Sequence, residues 1–211
     1  MIIILGLIAF ICTKLIINVM QYLVKVHYYL IIQWENVNNN EAICNKYVLF
    51  VFVYMALLVS EYIFVGNYIQ KILMASILLV FIQIWFMDIK YRFIFDESIY
   101  FLLSINVLWI LFEHITLATL FYKMLIMGIV FIIMLLLAII LRGGLGGGDV
   151  KFVAVMAFLF GVEKTISMLM IAFILGGLVA IFLILIRKRS TKDFIAYGPY
   201  LILGAIVQLF Y

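Results

Sequence analysis

Asp149 follows five glycines set in six positions (Gly143, Gly144, Gly146, Gly147 and Gly148) and stands between two long apolar runs. A carboxylate in such a setting is costly and marks a functional site by default. The glycines offer bare backbone against which another chain can lie. Each also costs a regular helix about 1 kcal/mol against alanine, so the spacing predicts a loop ahead of the acid. A second acid, Asp88, closes another apolar run, Ile72 to Met87. Two carboxylates that share a site cannot both ionise at contact distance. The ionised member can take a proton from water while the protonated member gives one to a carbonyl oxygen, and no covalent intermediate is needed. Such a pair titrates as a unit, so neither acid is assigned the proton. Peptide cleavage near a bilayer also needs an unwound substrate, and Gly146, Gly147 and Gly148 give an extended chain room beside Asp149. Arg142 and Lys151 flank this stretch and are placed to hold it at anionic headgroups.

Membrane helices must position these acids. The chain is 70% hydrophobic with a single proline, and runs of about 18 or more apolar residues read as spans. The runs do not alternate apolar with polar residues, which excludes a closed barrel. The expected fold is therefore all-α, a polytopic transmembrane helix bundle of about eight hydrophobic segments. The segments are Ile2–Met20, Tyr47–Val65, Ile72–Met87, Ile99–Phe112, Leu117–Leu141, Val150–Phe160, Thr165–Ile186, and a last one ending at Tyr211. The sixth is too short to cross unaided. Residues 1–46 are expected to form a first span plus a short cytoplasmic loop, and residues 47–211 the core that carries the chemistry.

Charge sets orientation. With the N-terminus outside, the inner loops hold Lys25, Lys46, Lys90, Arg92, Arg142, Lys151, Arg187, Lys188, Arg189 and Lys192. The outer turns hold only Lys71, Lys123 and Lys164. This asymmetry follows the positive-inside rule and puts Asp88 and Asp149 together on the cytoplasmic side. The net charge of +4 is thus topogenic, and no nucleic-acid partner is implied. Cys12 and Cys44 have no paired spacing, and His27 and His114 lack ligand-spaced partners, so no metal site is indicated. The opening apolar run lacks a basic n-region and a small-residue cleavage site and reads as a retained span.

The string Gly143 to Phe152 holds the G-x-G-D pattern (Gly146, Gly147, Gly148, Asp149) and resembles that of the intramembrane aspartyl proteases, the type IV prepilin peptidases in particular. The segment from Met87 to Ser98 resembles the other catalytic segment of that family. Asp88 matches its acid and Asp96 its trailing acid, while Phe95 stands where proline is usual. Ala196 to Ala205 is similar to the family's Gly-Pro segment, with Gly198 and Pro199 as a structural motif, and Ile16 to Val26 is a weaker match to its first-span exit. The resemblance implies an aspartyl endopeptidase with Asp88 and Asp149 as the catalytic pair. Such an enzyme removes the short basic leader from type IV prepilins or pseudopilins at the bacterial inner membrane, its active site facing the cytoplasm. Members often also methylate the new N-terminus with S-adenosylmethionine, an activity associated with a larger first loop bearing two Cys-x-x-Cys pairs. Here that loop, Gln21 to Lys46, is short and holds only Cys44. The implied form lacks the zinc motif, and S-adenosylmethionine would serve only if methylation is retained.

Plainer readings stand beside these. Asp149 can cap the helix that follows it, and Asp88 can pair with Lys90 or Arg92 at an interface. Asp96 and Glu97 are expected to cap the fourth span, and Pro199 to kink the last one. Gly176 and Gly177 are expected to let helices approach closely. A different class, a small ion- or proton-coupled transporter, would use the same two acids as an ion path, but near the bilayer midplane.

Overall fold

A computed structural model describes residues 2–26, 52–57, 67–113, 116–141, 145–186 and 196–211. Among them the regular elements are all helices. These are α1 (Ile2–Val26), α2 (Tyr68–Tyr91), α3 (Asp96–Phe112), α4 (Leu117–Ile140), α5 (Gly147–Leu185) and α6 (Gly198–Phe210), and residues 52–57 are helical as well. Helices α2, α4 and α5 are long and apolar enough to cross a membrane, and α6 and the Leu7–Val19 part of α1 are shorter apolar stretches. The protein is a helical membrane protein. Its expected sixth and seventh segments are joined in α5, and most of the second lies outside the described residues. So do Arg142, Gly143, Gly144, Cys44, His27, His114 and the basic loop Arg187 to Lys192.

Two compact units divide the chain, Met1–Phe95 and Asp96–Tyr211. In the first, Ala9 and Ile16 of α1 stand seven residues apart on one helix face and bury against Val53, Leu57, Met87 and Phe95. Ala75, Leu79, Ile82 and Phe86 of α2 pack on the same cluster, at the spacing that lines one side of a helix. Phe52 meets Phe86 edge to face, with ring centroids 5.7 Å apart. Helix α1 runs on through Val26, past the expected end at Met20.

The second unit is built around α5. At 39 residues, a straight α5 would measure about 58 Å, close to twice the hydrocarbon thickness. It is broken at Gly161, with φ 78° and ψ −175°, a conformation essentially reserved for glycine. Thr165 Oγ1 donates to the Gly161 carbonyl (2.6 Å) and Lys123 Nζ to the Leu159 carbonyl (2.9 Å). These bonds satisfy acceptors freed where a helix ends. The break turns the chain back on itself: Tyr197 lies in ring contact with Phe173 and within electrostatic reach of Asp149. A straight helix would hold those two residues about 36 Å apart.

The first limb, 147–160, is the core of this unit, with Val150 and every residue from Phe152 to Phe158 buried. Asn106 of α3 is wholly buried against it and donates from Nδ2 to the Val155 carbonyl (3.1 Å). The second limb carries α6. A Cβ added to Gly204 would run into the Met168 carbonyl oxygen, so only a bare backbone fits there. Tyr197 and Tyr200, at the other end of α6, lie over Gly176. The two contacts make α6 antiparallel to the second limb and realise the close approach expected at Gly176. Gly177 faces open space. Helix α4 presents most of its surface outward, and only Ile126 and Met134 are buried. So large an apolar surface is untenable in water and suits hydrocarbon.

Candidate active site

Asp88 sits in the last turn of α2 and is 5% exposed. The helix stops there because Arg92 turns left-handed (φ 52°, ψ 38°) and its N–H donates back to the Asp88 carbonyl (2.8 Å). Glycine or asparagine is the usual residue at such a stop. An arginine there bears a backbone cost of about 1–2 kcal/mol. Phe95, where the resembling family has proline, is 1% exposed and stacks edge to face on Phe93, with centroids 5.0 Å apart. A buried ring anchors the exit from α2 in place of a rigid pyrrolidine.

Asp149 begins the other unit's central helix and is 7% exposed. Its Oδ2 accepts a hydrogen bond from the Gly146 N–H at 3.0 Å, so the carboxylate folds back over the helix N-terminus, where negative charge is favoured. The capping role expected of Asp149 is thus met by its bond to the Gly146 N–H. Gly146 is extended (φ −75°, ψ 151°), and a Cβ on it would come within 3.2 Å of Asp149 Oδ2. Gly147 has nothing within 4 Å of where a side chain would stand. The expected glycine loop needs correction, because Gly147 and Gly148 are the first two residues of α5. First-turn residues bear little of the propensity cost that burdens a helix interior.

Lys151, one turn-half further on, is held by an acid of the same unit. Its Nζ lies 2.7 Å from both carboxylate oxygens of Asp96. Asp96 is the first residue of α3, so the expectation that it caps α3 is corrected: its carboxylate goes to Lys151. The starts of α3 and α5 are thereby tied together. The side chains are 40% and 44% exposed, which limits the pair to about 1 kcal/mol or less. Its value is positional.

Gly198 and Pro199 are buried at the start of α6. Pro199 occupies the first turn and does not kink the span. The missing N–H is one that no helix would have used, and the fixed φ suits a helix start. The residue before them, Tyr197, escaped the sequence reading. Its hydroxyl oxygen is buried with no hydrogen-bond partner. Burial, and then the Asp149 carboxylate, push this phenol well above its ordinary range, so it keeps its proton. A polar ring directly ahead of a Gly-Pro pair was the available signal. No group of three or more His, Cys, Asp or Glu fit for a metal occurs among the described residues.

The model of the type IV leader peptidase family matches residues 72–181, just over half of the chain. That range holds both Asp88 and Asp149 and stops short of α6. The chain is also similar to the prepilin leader peptidase/N-methyltransferase of Bacillus subtilis (strain 168), at 27% identity over 81 residues. The matched stretch is 38% of this chain and 33% of that protein, so the chain spans about a third of its relative's length. No solved structure gives a significant match.

Proposed function

Because the chain belongs to the type IV leader peptidase family, we propose that it is a membrane-embedded aspartyl endopeptidase in which Asp88 and Asp149 are the catalytic pair. The observation that carries this reading is that each acid is buried at one end of an apolar helix. Unused carboxylates are expensive there. Their places in the last and first turns also argue against an ion path at the midplane. In the reaction, water attacks the scissile carbonyl carbon and loses its proton to the ionised carboxylate. The protonated partner gives its proton to the carbonyl oxygen. The resulting gem-diol breaks its C–N bond as the leaving nitrogen takes up a proton, and the pair returns to one shared proton.

The substrate in this reading is a type IV prepilin or pseudopilin, cut after its short basic leader on the cytoplasmic face of the inner membrane. The helix-start glycines beside Asp149 let the unwound peptide lie against bare backbone. The test is to incubate the purified protein with a candidate prepilin and measure the mass of the mature N-terminus. Asp88→Asn and Asp149→Asn should each insert normally and leave the precursor uncut. Cleavage at the wild-type rate by either variant removes that acid from the reaction. With S-adenosylmethionine added, the same spectrum reports whether the new α-amino group gains a methyl.

A further inference from the structure

We propose that Tyr197 is a third functional side chain of this site, its hydroxyl donating a hydrogen bond to the oxygen of the peptide carbonyl that is cut. The inference rests on the aspartyl peptidase reading and extends it to a residue outside the matched range. Three observations carry it. The first is placement. Asp149 and Phe173 lie equally far on either side of the Gly161 turn, so the folded α5 brings them level, and Tyr197 packs on Phe173 with ring centroids 5.6 Å apart. The second is the cradle. Gly176 lies beneath the ring, where a Cβ would come within 3.2 Å of Tyr197 Cε2, and Tyr200 flanks it at 6.2 Å between centroids. The ring is therefore held from several sides, and its hydroxyl has a set direction.

The third observation is that the hydroxyl it aims has no partner although it is buried. A buried donor left without an acceptor costs about 1–3 kcal/mol, and native structures rarely keep one without use. A phenol needs an acceptor oxygen, and an extended peptide lying beside Asp149 brings a row of them. As water adds to the scissile carbonyl its oxygen gains negative charge, so a fixed donor binds the transition state more tightly than the ground state. The phenol keeps its proton throughout, and the proton transfers remain with the two carboxylates.

Tyr197→Phe keeps the ring, its contacts and the fit over Gly176, and removes only the hydroxyl. The measurement is steady-state cleavage of a prepilin by the full-length wild-type protein and by this variant, together with thermal unfolding of both in detergent. The expected result is a fall in kcat of about 100-fold, the scale on which a single oxyanion donor acts, with KM little changed. The unfolding temperature should hold or rise, since an unsatisfied group has been removed. An unchanged kcat, or a loss confined to KM, overturns the proposal. So does a clear fall in unfolding temperature, which would mean that the hydroxyl is already bonded in the resting protein. If the wild-type protein itself cuts no prepilin, the peptidase reading fails first. Wild-type cleavage matched by Tyr197→Phe sinks the tyrosine alone.

Discussion

Gly204 and Gly177 should respond to the same substitution in opposite directions. Both are helical glycines, and replacing either with alanine gains about 1 kcal/mol of intrinsic helix preference. At Gly177 nothing stands within 4 Å of the new Cβ, so the gain is kept. At Gly204 the Cβ runs into the Met168 carbonyl oxygen and comes within 3.2 Å of both Met168 C and Met168 Cγ. A backbone carbonyl cannot rotate aside as a side-chain tip does. Helix α6 must lift from the second limb of α5, at a cost of about 3 kcal/mol, the upper end for overpacking. The net expectation is a gain of about 1 kcal/mol for Gly177→Ala and a loss of about 2 kcal/mol for Gly204→Ala. Reversible unfolding of both variants in mixed micelles, followed by far-ultraviolet circular dichroism, measures the difference. Equal shifts of the same sign would refute the close packing of α6 on α5. Gly204→Ala should also slow any cleavage, because α6 positions Tyr197.

Two further outcomes follow from the same geometry. Arg92→Gly should stabilise the protein by about 0.5–1 kcal/mol, since relief of the left-handed backbone outweighs the added freedom of the unfolded chain; Arg92→Ala should not, and a gain from both would contradict the φ of 52°. A double-mutant cycle on Asp96→Asn and Lys151→Met should give a coupling of about 1 kcal/mol or less that shrinks as salt is added. A coupling that ignores salt would mean that the pair is shielded from solvent, contrary to its 40% and 44% exposure.

Helix locations were largely legible in the sequence, because long apolar runs declare themselves and need no tertiary information. The expected Leu117–Leu141 became Leu117–Ile140, and the break expected near Gly161 sits at that glycine. Helix ends were read less well where a terminus follows from tertiary demands. Asp96 opens α3 three residues before the expected Ile99, with Lys151 waiting 55 positions away in sequence. Gly147 and Gly148 looked like loop because propensity speaks for interiors, whereas a first turn is decided by what closes it, here the Asp149 carboxylate. Pro199 looked like a kink until α6 proved to begin beside it. Of the candidate site, the two acids could be found from their setting. Tyr197 left only a faint signal, its place ahead of the Gly-Pro pair, since an unmet hydrogen bond is a property of a packed interior and not of spacing.

The outward circumference of α4 has an evolutionary corollary. A helix on which only Ile126 and Met134 are buried asks of its exposed positions little beyond oiliness, so Leu, Ile, Phe and Met there should drift among themselves across descendants of this gene. Lys123 is the exception, since its ammonium holds the Leu159 carbonyl. The stretch from Phe152 to Phe158, enclosed on every side, should by contrast change slowly and in concert with the residues that touch it.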